Sequence, residues 1–352
     1  MGKTTFALGL VPEGHKRHPA YLNWDVPEGR SAILKGELPP NQSLVVLDEV
    51  HKFARWRSLL KGFYDRYVPE VSFLVTGSAR LDHYRKGGDS LQGRYHYFRL
   101  HPFSAREVNP GPSAGDIRRL LQFGGFPEPF LRASETFHRR WQRERLTRVV
   151  NEDLRDLERV REVSLIEVLL ESLPERVGSP LSVRSLSEDL QVSHASIERW
   201  VTILENLYVC FRLLPFGSPR IRAVKKEKKL YFWDWSQAPE GGARFENLVA
   251  CQLLKYCHWR EDCEGYRMEL RYVRDTDGRE VDFVVLQDRK PLFGVECKSS
   301  DKQLDPAIGY FQARTKVPRF YQVHLAERDF GSAEHGGRVL PFHTFCRELA
   351  LP

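Results

Sequence analysis

No stretch of the 352-residue chain approaches the roughly 20 consecutive apolar residues that span a bilayer, so no membrane partner is expected. The start lacks the basic-then-apolar plan of a secretory signal. Cysteine is sparse. Cys210, Cys251, Cys257, Cys263, Cys297 and Cys346 form no CxxC pair, which argues against a zinc knuckle. They read as reduced, partly buried thiols, which suits a cytoplasmic protein. There is no internal repeat and no low-complexity tract, so a solenoid or a disordered chain is not expected. Acidic residues are in deficit, 47 against 54 Lys and Arg, leaving a net charge of +7. That excess permits a nucleic-acid or nucleotide partner, and equally permits a solvated basic face. With 41% hydrophobic and 29% charged residues, what remains is a soluble globular chain long enough for two or three domains.

The first third alternates short apolar runs with amphipathic stretches. "SLVVLDEVH" and "VSFLVTGSAR" are too short for helices and read as buried parallel strands. Between them "RSLLKGFYDRYV" has helical spacing, with Leu59, Leu60, Phe63 and Tyr67 on one side. Strand, helix and strand make an α/β layer. "NPGPSAG", residues 109–115, marks a boundary. Residues 116 to about 178 read as mainly helical, with Trp141, Leu146, Val149, Val150, Leu154 and Leu157 at helical intervals. A short helix at Ser185–Leu190, the turn "QVS", a longer helix with Ile197, Val201 and Leu204 on one face, and the β-rich "YVCFRLLPF" suggest a winged helix. The last third mixes a helix in "ARFENLVACQLLKYCHW" with strands in "MELRYVR", "EVDFVVLQ", "LFGVECKSS" and "PRFYQVHL".

The opening "MGKTTF" fits the end of a phosphate-binding loop. Such a loop needs Gly-x-x-x-x-Gly-Lys-Ser/Thr after a strand. Its backbone N–H groups cradle phosphates, the Lys reaches the β- and γ-phosphates, and the Ser/Thr holds magnesium. Gly2, Lys3 and Thr4 fit the last three places. "LVVLDEVH" then ends a strand at Asp48-Glu49, where the first acid suits a magnesium ligand and the second an orienter of the attacking water. Ser78 ends the next strand, where a polar side chain can sense the γ-phosphate. Each signal alone is ordinary strand-end chemistry, and their order and spacing favour the functional reading.

"LVVLDEVHK", "FLVTGSAR", "LQGRYHYFRLHPFS" and "FGGFPEP" resemble prokaryotic AAA-type ATPases that carry a C-terminal domain of unknown function. The resemblance covers nearly the whole chain. It implies that Gly2, Lys3 and Thr4 are the remnant of Walker A, Asp48 and Glu49 the Walker B acids, and Ser78 the sensor, with ATP and Mg²⁺ as cofactors. It also implies that Arg94 stabilises phosphate charge; the alternative is that Arg94 caps or pairs locally. Assembly into a homo-oligomeric ring is a further implication. In the family a strand and loop precede the Lys. Without them, strands lose a shared partner and half of the phosphate nest is absent. The expectation is a P-loop core lacking its first strand, cut within Walker A, that binds ATP poorly or not at all.

In the last third, "EVDFVV" and "GVECKSS" resemble the PD-(D/E)XK nuclease superfamily. By that resemblance Asp282 and Glu296 hold a divalent cation, Lys298 orients or helps deprotonate a water, and Glu246 completes the site from a helix. Oxygen ligands of this kind suit magnesium or manganese and phosphodiester hydrolysis. Glu296 and Lys298, two apart, share one face of a strand. If Asp288–Pro291 form a regular four-residue loop, Asp282 falls opposite Cys297, on the wrong face. A working site therefore requires an odd loop or a β-bulge. An ordinary amphipathic hairpin with exposed charges is the plainer reading.

Two further stretches are candidates for DNA. One is the second helix of the winged helix, with His194, Ser196 and Arg199, where Trp200 reads as core. The other is the basic run Arg220, Arg222, Lys225, Lys226, Lys228 and Lys229, which suits phosphates or an exposed hairpin tip. The expected organisation is a P-loop core at 1–112, a helical and winged-helix middle at 113–220, and an α/β PD-(D/E)XK-like domain at 221–352. The expected function is an ATP-binding AAA-type protein acting on DNA. The alternatives are a non-catalytic DNA-binding or interaction protein with a degenerate ATPase part, and an ATP-independent metal-dependent nuclease.

Overall fold

The computed structural model describes residues 2–77, 91, 93–148, 163–217, 227–301 and 303–352. The chain divides into two compact units, 1–100 and 101–352. The "NPGPSAG" stretch therefore lies a few residues inside the second unit.

In the first unit, strands β1 (Tyr21–Asn23), β2 (Leu44–Asp48) and β3 (Ser72–Thr76) form a parallel sheet in that order. The central strand is buried on both faces, as a parallel strand between helical layers must be. Val45 and Leu47 face one core with Trp24, Ile33, Val50, Trp56 and Phe63. Val46, pointing the other way, meets Ala7, Val11, Ala20 and Tyr21. Helix α1 (Lys3–Gly9) supplies Ala7 to the second core. Helices α2 (Pro27–Lys35) and α3 (Trp56–Tyr67) supply the first. Proline at the start of α2 and Gly36 at φ 68 after its end define that helix at both termini. Leu59, Leu60, Phe63 and Tyr67 all pack on the first core, as their spacing predicts. Among the described residues β3 pairs with β2 alone, and Tyr95 and Phe98 are exposed.

The second unit is built on an eight-stranded mixed sheet. Its strands are β4 (Cys210–Pro215), β5 (Lys229–Phe232), β6 (Met268–Arg274), β7 (Glu280–Gln287), β8 (Lys290–Cys297), β9 (Phe320–His324), β10 (Phe330–Ser332) and β11 (Gly337–Pro341). Their order is β10-β11-β9-β8-β7-β6-β4-β5. Among the described residues this unit opens with helices α4 (Ala105–Val108), α5 (Ala114–Phe123), α6 (Pro127–Arg132), α7 (Glu135–Arg148) and α8 (Val163–Ser172). The apolar positions Val149, Val150, Leu154 and Leu157 lie outside the described residues. Helices α9 (Val183–Leu190) and α10 (His194–Asn206) follow, capped by Ser182 and Ser193, and Ile197, Trp200, Val201 and Leu204 are fully buried. Helix, turn, helix and strand are present as the sequence implies. However, the β4–β5 hairpin does not stand apart as a wing. β4 also pairs in parallel with β6, so the hairpin extends the large sheet and the expected middle and C-terminal parts share one core.

Helix α11 (Gly242–Glu264) lies against this sheet, and its stretch from Phe245 to Cys257 is buried almost all round. Its buried amides complete backbone pairing elsewhere. Asn247 accepts from the Phe232 N–H at 2.9 Å and donates to the Phe232 carbonyl at 2.7 Å, closing the outer edge of β5. Gln252 does the same for Ala105 and Phe103. Helices α12 (Pro306–Arg314) and α13 (Phe342–Glu348) complete the unit.

Candidate functional site

In the first unit the candidate residues meet at the C-terminal ends of the parallel strands. Asp48 closes β2 and is 1% exposed. Its carboxylate accepts hydrogen bonds from Thr4 Oγ1 at 3.0 Å, from the Tyr21 hydroxyl and from Thr76 Oγ1. Lys3 Nζ donates to the carbonyl of Gly77, just past β3. Burial, then the Asp48 hydrogen bond, pushes the Tyr21 hydroxyl up to about 12, so it stays a donor. Glu49 adopts a left-handed backbone, φ 58. Burial raises the pKa of its carboxyl, with Lys3 and Lys52 pulling the other way. Lys52 lies 3.8 Å from Glu49 and 2.5 Å from Asp25. Arg94 lies 3.5 Å from Asp65 and over the ring of Tyr64, both on α3, which is the local pairing weighed above. Ser78 lies outside the described residues. Tyr21 and Thr76 carry no motif. Their only signal is their position beside Asp48 at the ends of neighbouring parallel strands.

In the second unit the decisive element is the β7–β8 hairpin. Its turn is the two residues Asp288 and Arg289, both with positive φ, and not the four-residue loop supposed above. Gln287 pairs with Lys290 and Leu286 with Pro291. The register then slips, and Val285 pairs with Phe293 and Phe283 with Val295. Leu292 is the extra residue, next to a proline that cannot donate to the ladder. Continued by one step, the shifted register sets Asp282 opposite Glu296. The bulge thus puts the two acids on one face. The backbone N–H of Asp282 donates to Glu296 at 3.2 Å, and Asp282 accepts from the N–H of Cys297 at 2.9 Å.

Between Asp282 and Glu246 stands the ammonium of Lys229, 0% exposed. Its Nζ is 3.3 Å from Asp282 Oδ1, 3.3 Å from Glu246 Oε1, and in contact with Glu280. Lys229 therefore does not belong to an exposed phosphate-binding run, as the sequence suggested; the first residue of β5 points inward with Tyr231, two residues on. Arg220, Arg222, Lys225 and Lys226 lie outside the described residues. Burial disfavours the Lys229 charge, but Asp282, Glu246 and Glu280 outweigh it and hold its pKa above the ordinary value. Tyr231 donates to Glu246 at 2.8 Å. Lys298 is engaged separately, 2.8 Å from Glu296 and 2.7 Å from Asp305. Burial, then the Asp282 charge, pushes Glu246 up to about 7 and raises Glu296 as well. Among the described residues no group of three or more His, Cys, Asp and Glu side chains could hold a metal ion. Sequence reasoning missed Glu280 and Tyr231, though Glu280 and Asp282, two apart on one strand, already share a face.

Comparison with known proteins divides the chain into three. An AAA domain model matches residues 1–109. The N-terminal region is an AAA-type P-loop domain. Two domains of unknown function follow, DUF8612 at 114–238 and DUF4143 at 241–345. The breaks fall on the Pro/Gly-rich stretch and just before α11. The chain is also similar to the uncharacterized protein MJ1544 of Methanocaldococcus jannaschii, 20% identical over 358 residues, covering 92% of this chain and 78% of that one. No solved structure matches. No helix among the described residues is long and apolar enough to cross a membrane.

Proposed function

We propose that this chain binds a magnesium–nucleotide weakly through Lys3, Thr4, Asp48 and Glu49, and that its second unit is a nuclease-like scaffold that binds DNA without cutting it. The 3.0 Å pair of Thr4 and Asp48 carries the first part. In P-loop proteins the loop Ser/Thr and the Walker B Asp hold the same Mg²⁺, which neutralises phosphate charge when bound. Here those two side chains already touch. Asp48 is fully buried and held by three hydroxyls. Lys3, next to Thr4 at the start of α1, is the candidate to counter phosphate charge. Glu49, beside it and less buried, is the candidate to orient water.

The Lys229 position carries the non-cleaving part of the second reading. Metal-assisted cleavage needs carboxylate oxygens open to a cation, and here an ammonium lies among them. The test is a titration of the full chain with a fluorescent ATP analogue, carried into the millimolar range, with magnesium or with EDTA. Magnesium-dependent binding that is lost in Asp48→Asn is expected; equal binding by both proteins would refute the nucleotide site. In parallel, gel shift and plasmid nicking with Mn²⁺ are compared between wild type and Glu296→Ala. Binding without nicking is expected, and nicking abolished by the substitution would restore the nuclease reading.

A further inference from the structure

We infer that Lys229 is a built-in counter-cation standing at the position of a divalent metal, and that removing its side chain converts the cluster into a metal site. The inference rests on the reading of the second unit as a scaffold that does not cleave. Oxygens of Glu246, Glu280 and Asp282, from α11 and β7, converge on a single point. With Lys229 in place these carboxylates form no metal site; with its ammonium removed, three carboxylates around one point would be the donor set of a hard divalent cation. The point is not empty: it holds a positive charge with no access to water.

The local charge balance explains why one ammonium is a poor neutraliser. Arg274 reaches the second oxygen of Glu280 at 3.2 Å. Two positive charges therefore face three carboxylates. The Tyr231 hydroxyl covers Glu246 from one side. The backbone of Gly178 covers it from another: a Cβ there would lie 2.9 Å from Glu246 Oε2, so the chain passes against the carboxylate. Lys298, the motif lysine, is held by Glu296 and Asp305. A divalent ion entering this cluster would have to share its centre with an ammonium, and like charges at that separation in a buried site exclude each other.

The experiment measures Mn²⁺ binding to the full chain by the loss of the free-ion EPR signal. All proteins carry Asp48→Asn, so that the nucleotide corner does not contribute. Lys229→Ala removes both charge and bulk. Lys229→Met removes charge but fills the space. The expected result is about tenfold or more tighter Mn²⁺ binding in Lys229→Ala than in its parent, no gain in Lys229→Met, and loss of the gain when Asp282→Asn is added. Mn²⁺ is also expected to raise the melting temperature of Lys229→Ala and not that of the parent. Parental Mn²⁺ binding that depends on Asp282 would overturn the inference, as would a folded Lys229→Ala protein with no gain. A Lys229→Ala protein that stays unfolded even with Mn²⁺ would also count against it, since the metal is expected to replace the missing charge. Plasmid nicking by the wild type would instead sink the non-cleaving reading. Absence of nicking together with no Mn²⁺ gain would sink this inference alone.

Discussion

Glu246 is a largely buried carboxylate that shares the Lys229 ammonium with Asp282, and its titration is readable in stability. Burial and Asp282 raise it from 4.5 to about 7, against the pull of Lys229 and Tyr231. Between those two pH values the folded chain holds a proton that the unfolded chain releases. Stability from this group is therefore full below about pH 4.5 and falls as pH rises toward 7. Glu296 is shifted in the same direction. Glu246→Gln, neutral at every pH, is expected to flatten the decline in urea midpoint across this window, leaving the Glu296 part. An unchanged slope would show that Glu246 does not titrate as its surroundings imply. The residue scale is also where sequence reading reached least far. Lys228 and Lys229 look alike in a basic run, yet Lys229 is fully buried because β5 begins there and turns its side chain toward the sheet.

At the scale of elements, the second unit depends on how the helix–turn–helix is joined to the sheet. Arg212 of β4 makes that join. Its guanidinium lies 2.7 Å from Glu198 and 2.8 Å from Glu205 of α10, and its side chain is 3% exposed. Burial works against its charge, and the two carboxylates outweigh it. Arg212→Ala is expected to cost about 3 kcal/mol, the low end for breaking a buried pair, because Glu198 is half exposed and can rehydrate. A loss below about 1 kcal/mol by urea unfolding would place Arg212 with ordinary surface pairs. Element identity was largely legible. The stretches "MELRYVR" and "EVDFVVLQ" match β6 and β7 residue for residue; β6 alternates in burial over its first five residues, and β7, inside the sheet, is buried at six consecutive positions. The hairpin between β7 and β8 was legible only as a condition. The parity argument required an odd loop or a bulge, and the choice of a two-residue turn with Leu292 bulged depends on local backbone geometry beside Pro291.

For the molecule as a whole, residues 101–352 contain every strand of the large sheet, with one large apolar core running from Ala105 to Leu351 and a smaller one where α12 packs on the sheet. Expressed alone, this segment is expected to unfold cooperatively in urea and to keep the pH dependence of the full chain. A broad, non-cooperative transition would show that it needs residues 1–100 to fold. The sequence by itself determined the α/β character of both ends, the order of the phosphate-site motifs, and the shared face of Glu296 and Lys298. These follow from periodicity and spacing, which are local. Only the tertiary structure decided that Tyr21 and Thr76 hold Asp48, that β4 and β5 extend the large sheet, and that Lys229 fills the centre of the carboxylate cluster. Strand period states which face of its own strand a side chain takes. It does not state which distant element meets that face, because that depends on how strands far apart in the chain are ordered and registered in the sheet.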